Sequence, residues 1–206
     1  AALQIDCRSL THEHVVLPEN VAILAVNSLV KHELGASAYR ERVAECQAAV
    51  AAIQEFEPEV KSLRDVSLQL FERVQDSIPL LPRRRARHIV SDTQRVVDFA
   101  AAAHAENLGE MGRLFVASHR SMQYDYEISC AEIDFLVDTA IKLPGVYGAR
   151  MTGGGFGGCT VNLIAPEAVD AFRATLTDAY LQRYGKTPVF YFCKPAAGAS
   201  RVENLV

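Results

Sequence analysis

A run of glycines in the last third of the chain constrains the fold more than any other feature. Five of the 12 glycines fall close together, at Gly153, Gly154, Gly155, Gly157 and Gly158. Because glycine accepts positive φ angles and lets other groups approach the main chain, such a loop can turn several N–H groups toward one point and hold an anion. The flanking segments 146–151 and 160–164 have the composition of strands. The glycines alone leave two interpretations open, an anion-binding loop and a tight connection between strands.

The residues after the loop argue against a nucleotide-binding fingerprint. A Walker phosphate loop has lysine and then serine or threonine after its last glycine, and it opens a helix. Here Gly158 is followed by Cys159, Thr160 and Val161, which begin a strand. A Rossmann fingerprint fails for the same reason, because its glycine turn also opens a helix. We therefore expect a main-chain scaffold beside an active site rather than the nucleotide cradle itself.

Composition and charge narrow the classes of partner. The chain has 206 residues, 50% of them hydrophobic and 22% charged, as in ordinary globular proteins. A formal charge of -4 gives no reason to expect nucleic acid or an anionic membrane as a partner. No apolar run approaches the roughly 18 residues of a membrane span, and the first residues lack the features of a secretory signal. We therefore predict a cytoplasmic protein.

The cysteines predict neither disulfides nor a metal centre. They are odd in number and widely scattered, at Cys7, Cys46, Cys130, Cys159 and Cys193. A disulfide framework or a zinc site would require paired or closely spaced cysteines. We expect all of them to be small buried hydrophobic residues, and we predict no metal site.

The order of predicted elements indicates an α+β fold. Strands are predicted at 3–7, 14–17, 21–26, 146–151, 160–164 and 188–193, and the longer helices at 37–57, 83–105, 108–122, 131–142 and 166–184. Without the helices inserted after the third strand, the order becomes βαββαβ. This is the ferredoxin-like pattern, in which helices pack on one face of an antiparallel sheet. The chain opens directly in a strand and without methionine, so we expect a piece of a longer protein.

At the glycine loop the residues resemble a known family. The segment 147–161, YGARMTGGGFGGCTV, resembles the third signature motif of the GHMP small-molecule kinases, in the form found in galactokinases. Further segments resemble galactokinases in the same order, namely 27–28, 37–46, 85–88, 118–122, 126–130 and 193–199. The resemblance extends over nearly the whole chain.

The resemblance implies the C-terminal portion of such a kinase. It implies that residues 1–18 are a remnant of the N-terminal GHMP domain and that residues 19–206 form the GHMP kinase C-terminal domain. Galactokinases carry an N-terminal sugar-recognition motif with arginine and His-Thr-Asp, then a serine-rich phosphate loop and an aspartate near the sugar hydroxyl. None of these occurs here, so we expect no catalytic residue in this chain.

The resemblance also implies an activity. The full-length protein is expected to phosphorylate galactose to galactose 1-phosphate, with ATP and Mg²⁺ as cofactors. Phosphoryl transfer depends on positioning and on neutralisation of developing charge around the phosphates. Because the phosphate loop and the missing N-terminal domain would supply most of these groups, we expect the fragment alone to be inactive and to bind neither cofactor.

Two side chains and the glycine loop are the candidate site. Tyr39 matches the family tyrosine whose hydroxyl reaches the bound sugar, and its alternative role is that of an aromatic packed in the core. Lys31 stands where the family has a basic residue at the mouth of the site, where it would complement phosphate charge, or it is an ordinary solvated lysine. The glycines at 153–155 and 157–158 resemble the loop that packs against the phosphate loop and shapes the substrate pocket.

Two other polar groups are expected to be structural. Ser118 and His119 lie on a predicted helix near the loop, where core hydrogen bonds are a simpler explanation than proton transfer. The basic cluster 83–88 suggests a polyanion site, but its helical spacing and the acidic composition favour a solvated helix face.

Several other functions stay open. Within the family, the chain would also fit a kinase for N-acetylgalactosamine or another sugar, or a non-catalytic galactose-sensing regulator. A different class is a stand-alone module that binds a partner or self-associates through the surface that the missing domain would cover.

Overall fold

The computed structural model describes residues 1–31 and 35–194, except the side chains of residues 35 and 36. This part of the chain contains six strands, β1 to β6, at Ala2–Asp6, Thr11–Val15, Ala22–Asn27, Val146–Thr152, Cys159–Ile164 and Val189–Cys193. It also contains six α-helices, α1 to α6, at Gly35–Gln54, Leu68–Val74, Leu80–His104, Leu108–Ser121, Ala131–Ala140 and Val169–Tyr184. The terminal part of the family resemblance, 195–199, lies outside the described residues.

The main sheet has four antiparallel strands in the order β4-β5-β3-β6. If these four strands are numbered 1 to 4 in chain order and the sheet is read from the β6 edge, the order is 4-1-3-2. This is the ferredoxin-like order, which confirms the predicted fold. The continuous apolar run of β3 is explained by its central position. Val26, for example, lies opposite Thr160 of β5 and Phe190 of β6.

Both faces of this sheet are covered. Helices α5 and α6 bury the alternate β3 residues Leu24 and Val26, in one core cluster with Leu136 and Phe172. The inserted helices α3 and α4 cover the other face, where Met111 packs in a cluster with sheet residues. The two helix layers therefore cover opposite faces of the sheet, and side chains that alternate along each strand point to one layer or the other.

Helix α4 approaches β4 unusually closely because of two glycines. A Cβ atom at Gly112 would lie 1.9 Å from the carbonyl oxygen of Tyr147, and one at Gly148 would lie 2.4 Å from the carbonyl oxygen of Gly112. The main chain of α4 therefore packs directly on the main chain of β4. This contact sets the distance between the helix and the strand that leads into the glycine loop.

The first two strands form a separate hairpin. Leu3 lies opposite His14 and Ile5 opposite His12, so these four side chains share one face. Ion pairs between Arg8 and Asp65 and between Arg64 and Asp6 tie the hairpin to the helical region. Leu3 and Ile5 stay exposed, and an isolated two-stranded sheet is marginally stable on its own.

Two local predictions are wrong. The first helix runs from Gly35 to Gln54, so it begins two residues before the predicted bounds of 37–57 and ends three residues short of them. The cysteines are not buried, since Cys7 and Cys193 are exposed and the others are only partly covered. Cys193 lies at the end of an edge strand, and Cys7 lies at the start of the hairpin turn. Each position has no neighbouring strand on one side, which leaves the side chain exposed. No helix among the described residues is long and apolar enough to cross a membrane.

Candidate functional site

The glycine loop connects β4 to β5 just after their last pair, Thr152 and Cys159. Four of its glycines have positive φ angles, with values of 85° at Gly153, 89° at Gly155, 140° at Gly157 and 80° at Gly158. This left-handed region disfavours other residues. The loop conformation therefore depends on glycine at these positions.

Two chain segments hold the loop from opposite sides. The N–H of Phe156 donates to the carbonyl oxygen of Ile128 at 2.5 Å, and the N–H of Gly158 donates to that of Val30 at 3.2 Å. A Cβ atom at Gly155 would lie 2.6 Å from the Ile128 oxygen, and one at Gly157 would lie 2.7 Å from the Val30 oxygen. Both approaches are possible only without side chains, so the loop is fitted closely to its supports.

Ser28, at the end of β3, fastens the end of the loop. Its N–H and its hydroxyl both donate to the carbonyl oxygen of Gly158, at 2.9 and 2.8 Å. The hydroxyl of Tyr180 donates in turn to the carbonyl oxygen of Ser28 at 2.7 Å. Ser28 belongs to one of the family-like segments, but no role could be predicted for it, since its partners stand more than a hundred positions away.

One side of the loop is open. Atoms added at the Cβ positions of Gly153, Gly154 and Gly158 would meet nothing within 4 Å. Among residues 1–31 and 35–194, no main-chain acceptor bonds the N–H groups of Gly153 and Gly154. Gly154 needs glycine for neither φ nor packing. The arrangement leaves main-chain donors available to an anion or to another chain segment.

Tyr39 lies on helix α1 with its side chain 67% exposed. The alternative of a core aromatic is therefore wrong. On the same helix, the sulfur of Cys46 lies 3.8 Å from the hydroxyl of Tyr126, so α1 packs against the turn at residues 122–126. The same turn leads into Ile128, one of the two supports of the glycine loop.

Lys31 directly follows Val30, the other support of the loop. It is exposed. The structure therefore places Lys31 beside the glycine loop, although the two are far apart in the sequence.

The basic cluster 83–88 is not a solvated face, and that prediction is wrong. Arg85 is only 1% exposed, and it donates to Glu45 at 2.7 Å and to Glu127 at 2.7 Å. Arg84 also pairs with Glu127, and Arg87 pairs with Asp125. Because these acidic partners lie about forty positions away, helical spacing alone gave no sign of them.

This ion-pair network shapes the support at Ile128. Glu127 has a φ angle of 54°, a left-handed conformation that costs free energy in a residue with a side chain. The hydrogen bond from Arg85 holds the pKa of the Glu127 carboxyl below its ordinary value. Arg85 therefore fixes the turn whose next residue accepts the hydrogen bond from the loop.

Ser118 and His119 make core hydrogen bonds, as predicted. The Ser118 hydroxyl donates to Asp92 at 2.6 Å. His119 is fully buried, its Nδ1 accepts from the N–H of Met151 at 3.3 Å, and its Nε2 lies 3.3 Å from Asp134. His119 therefore supports β4 at Met151, and Ser118 links α4 to α3.

The described residues contain no group of three or more histidine, cysteine or acidic side chains that could hold a metal ion. The acidic residues near the loop are instead paired with arginines. The arrangement therefore offers main-chain donors, a tyrosine hydroxyl and a lysine, which suit the binding of hydroxyl and phosphate groups rather than metal coordination.

Comparisons with known proteins identify the family. The model of the family described as GHMP kinases C terminal matches residues 99–181. A galactokinase of Roseiflexus sp. (strain RS-1) is 45% identical over 98% of this chain and 52% of its own length. The galactokinase of Homo sapiens is 42% identical over 96% of this chain and 48% of its own length. The chain thus spans about half the length of these relatives.

A solved structure gives the same result. The structure of Lactococcus lactis galactokinase complexed with galactose superposes with a TM-score of 0.89 and 35% identity, over 97% of this chain and 52% of that one. Both the sequence comparison and the structural superposition cover nearly every residue of this chain. The chain belongs to the GHMP kinase family and carries that family's C-terminal domain.

Proposed function

We propose that the chain forms the C-terminal portion of an ATP-dependent galactokinase, which produces galactose 1-phosphate. The observation that carries this proposal is the 45% identity to a galactokinase over 98% of the chain. The close backbone similarity to a galactokinase complexed with galactose supports it. Proteins that share a fold commonly act on different substrates, so the 45% sequence identity supports the proposed substrate more strongly than the shared fold does.

Three groups contact the reactants in this proposal. The Tyr39 hydroxyl binds galactose, and the 67% exposure of its side chain supports this role. The glycines at 153–155 and 157–158 shape the substrate pocket, and the N–H groups of Gly153 and Gly154, which no main-chain acceptor among the described residues bonds, are available to polar groups there. Lys31 complements phosphate charge. The hydrogen bond from Gly158 to Val30, which places Lys31 beside the loop, supports its part in the assignment.

The remaining groups come from a domain outside this chain. ATP supplies the phosphoryl group, and Mg²⁺ neutralises charge on the phosphates when it is bound. Magnesium in phosphoryl-transfer sites is usually held by one or two carboxylates together with substrate phosphates. The carboxylates of Glu45, Asp125 and Glu127 do not fit that role, because they are paired with arginines. In this proposal the chain alone is inactive and binds neither cofactor, because the phosphate-binding groups lie in the other domain. The complete enzyme is expected in the cytoplasm.

Residues 1–18 belong to the N-terminal GHMP domain in this proposal, and residues 19–206 form the C-terminal domain. The separate hairpin supports the boundary, since β1 and β2 pair only with each other among the described strands. The exposed Leu3 and Ile5 then lie in the contact with the rest of the N-terminal domain.

A sugar panel tests the substrate. The longer protein that contains this chain would be assayed for ATP-dependent phosphorylation of galactose, N-acetylgalactosamine and glucose. We expect galactose to have the highest kcat/KM. A preference for N-acetylgalactosamine would favour the related sugar kinase, and galactose binding without any phosphorylation would favour a sensing regulator.

Self-association is a second candidate for the isolated chain. Large apolar side chains are exposed on the hairpin and on the edge strand β6, including Leu3, Ile5, Tyr191 and Phe192. Such patches commonly mark protein contacts. Light scattering of the purified chain tests this function, since a monomer at all concentrations would contradict it.

A further inference from the structure

A small cleft lies between helices α3 and α4 and the end of strand β4. Its volume is about 120 Å³. Its polar lining consists of Asp92, Arg95, Ser118 and Arg150, and its apolar walls include Phe99 and Phe115. The two rings stack with their centroids 5.1 Å apart. The cleft is therefore lined both by stacked apolar rings and by charged groups.

Arg150 makes few hydrogen bonds to the described residues that line this cleft. Its Nε donates to the carbonyl oxygen of Met151 at 3.1 Å, and one terminal nitrogen lies 3.9 Å from the sulfur of Met122, a weak acceptor. Its guanidinium carbon lies 5.9 Å from the centre of the Phe115 ring. Burial lowers the pKa of Arg150 from its ordinary value. A guanidinium has five donors, so most of this fork is unused by the described residues.

The one nearby carboxylate is already engaged. Asp92 Oδ1 accepts from the Ser118 hydroxyl at 2.6 Å and from Arg95 at 3.2 Å. Among the residues that the structure describes, no carboxylate forms an ion pair with Arg150 within 4.0 Å. Arg95 and Arg150 carry two positive charges against one negative charge on Asp92. The recess therefore has a net positive charge that matches a small anion.

We propose that this cleft binds a small oxyanion, either a carboxylate or inorganic phosphate, through the guanidinium of Arg150. The planar fork of arginine matches two oxygens of such a group. The apolar walls strengthen the interaction, because they keep water from screening it. The recess admits one such group but is far smaller than the pockets that hold drug-sized ligands or nucleotides. The site does not depend on the proposed kinase activity.

An NMR titration tests the site. The ¹H–¹⁵N signal of the Arg150 Nε–H would be followed in the chain while sodium phosphate, or separately sodium acetate, replaces sodium chloride at constant ionic strength. We expect a saturable shift with a dissociation constant on the order of millimolar, as for one charge-assisted bidentate contact. A saturable shift with phosphate but not with acetate identifies phosphate as the ligand, whereas a saturable shift with acetate identifies a carboxylate. A shift without saturation for both anions would overturn the proposal.

Matched variants test the assignment to Arg150. In Arg150→Met, calorimetry should show binding weakened at least about tenfold. Arg113→Met removes an equal charge from an exposed position on α4 outside the cleft, and it should bind as the wild type does. Unchanged binding by Arg150→Met would contradict the site. If that variant fails to fold by circular dichroism, Arg150→Lys keeps the charge without the fork and should also bind more weakly.

Discussion

The main-chain N–H of Phe156 donates to the carbonyl oxygen of Ile128 at 2.5 Å. This bond joins the glycine loop to a turn that Arg85 holds through Glu127. The loop is therefore positioned by an ion-pair network on helices α1 and α3, well outside the loop itself. Substitutions at the closely packed glycines of the loop and in the ion-pair network should each lower the stability of the folded chain, for different reasons.

Glycine at position 155 should be essential for stability, whereas glycine at position 154 should not. Gly155→Ala places a Cβ atom 2.6 Å from the Ile128 oxygen at a φ angle of 89°. We expect a loss of about 1 to 3 kcal/mol in the free energy of unfolding. Gly154→Ala meets nothing within 4 Å and should change stability by less than about 0.5 kcal/mol. Urea unfolding of both variants checks this, and equal losses would refute the packing argument.

Arg85 should stabilise the chain far more than an exposed arginine. Arg85→Met leaves Glu45 and Glu127 without their shared partner, and we expect a loss of about 2 to 3 kcal/mol, less than for a fully buried pair because Glu127 is partly solvated. Arg113→Met breaks only an exposed pair with Glu110 and should cost less than about 1 kcal/mol. Chemical unfolding measures both. Similar costs for the two variants would show that the Arg85 network contributes little.

Stability should fall with acid because of His88. Burial lowers the pKa of His88 from 6.5 to about 4. Because the pKa of His88 is lower in the folded than in the unfolded protein, protonation of this histidine favours unfolding. The free energy of unfolding is therefore unaffected by His88 above pH 6.5 and falls as the pH drops from 6.5 toward 4. This loss amounts to about 3 kcal/mol. In His88→Gln the unfolding free energy should depend less on pH between these values, and an identical slope would contradict the assignment.

Tyr39→Phe should impair sugar binding without changing stability. Its ring is exposed, so loss of the hydroxyl leaves the core intact. In the longer protein we expect KM for galactose to rise by up to about tenfold, as for one lost hydrogen bond. Tyr191→Phe removes a hydroxyl from a similarly exposed ring on β6, and its KM should not change. Equal KM values for both variants would argue against sugar contact by Tyr39.

The sequence predicts elements whose signals are local. The strand predicted at 21–26 and the helix predicted to end at 184 correspond to β3 and α6, because the signals for such elements lie within a few residues. The roles of Ser28 and Arg85 were missed. Their partners lie far along the chain, at Gly158 and Glu127, and only the folded structure brings them together.

The central claim is that this chain belongs to a galactokinase whose activity requires a further domain. A coupled assay of galactose phosphorylation with ATP and Mg²⁺ tests it most directly, comparing the longer protein with residues 1–206 alone at equal concentration. We expect galactose 1-phosphate from the longer protein and none above background from the chain alone. Comparable turnover by the chain, or no galactose phosphorylation by the longer protein, would contradict the account.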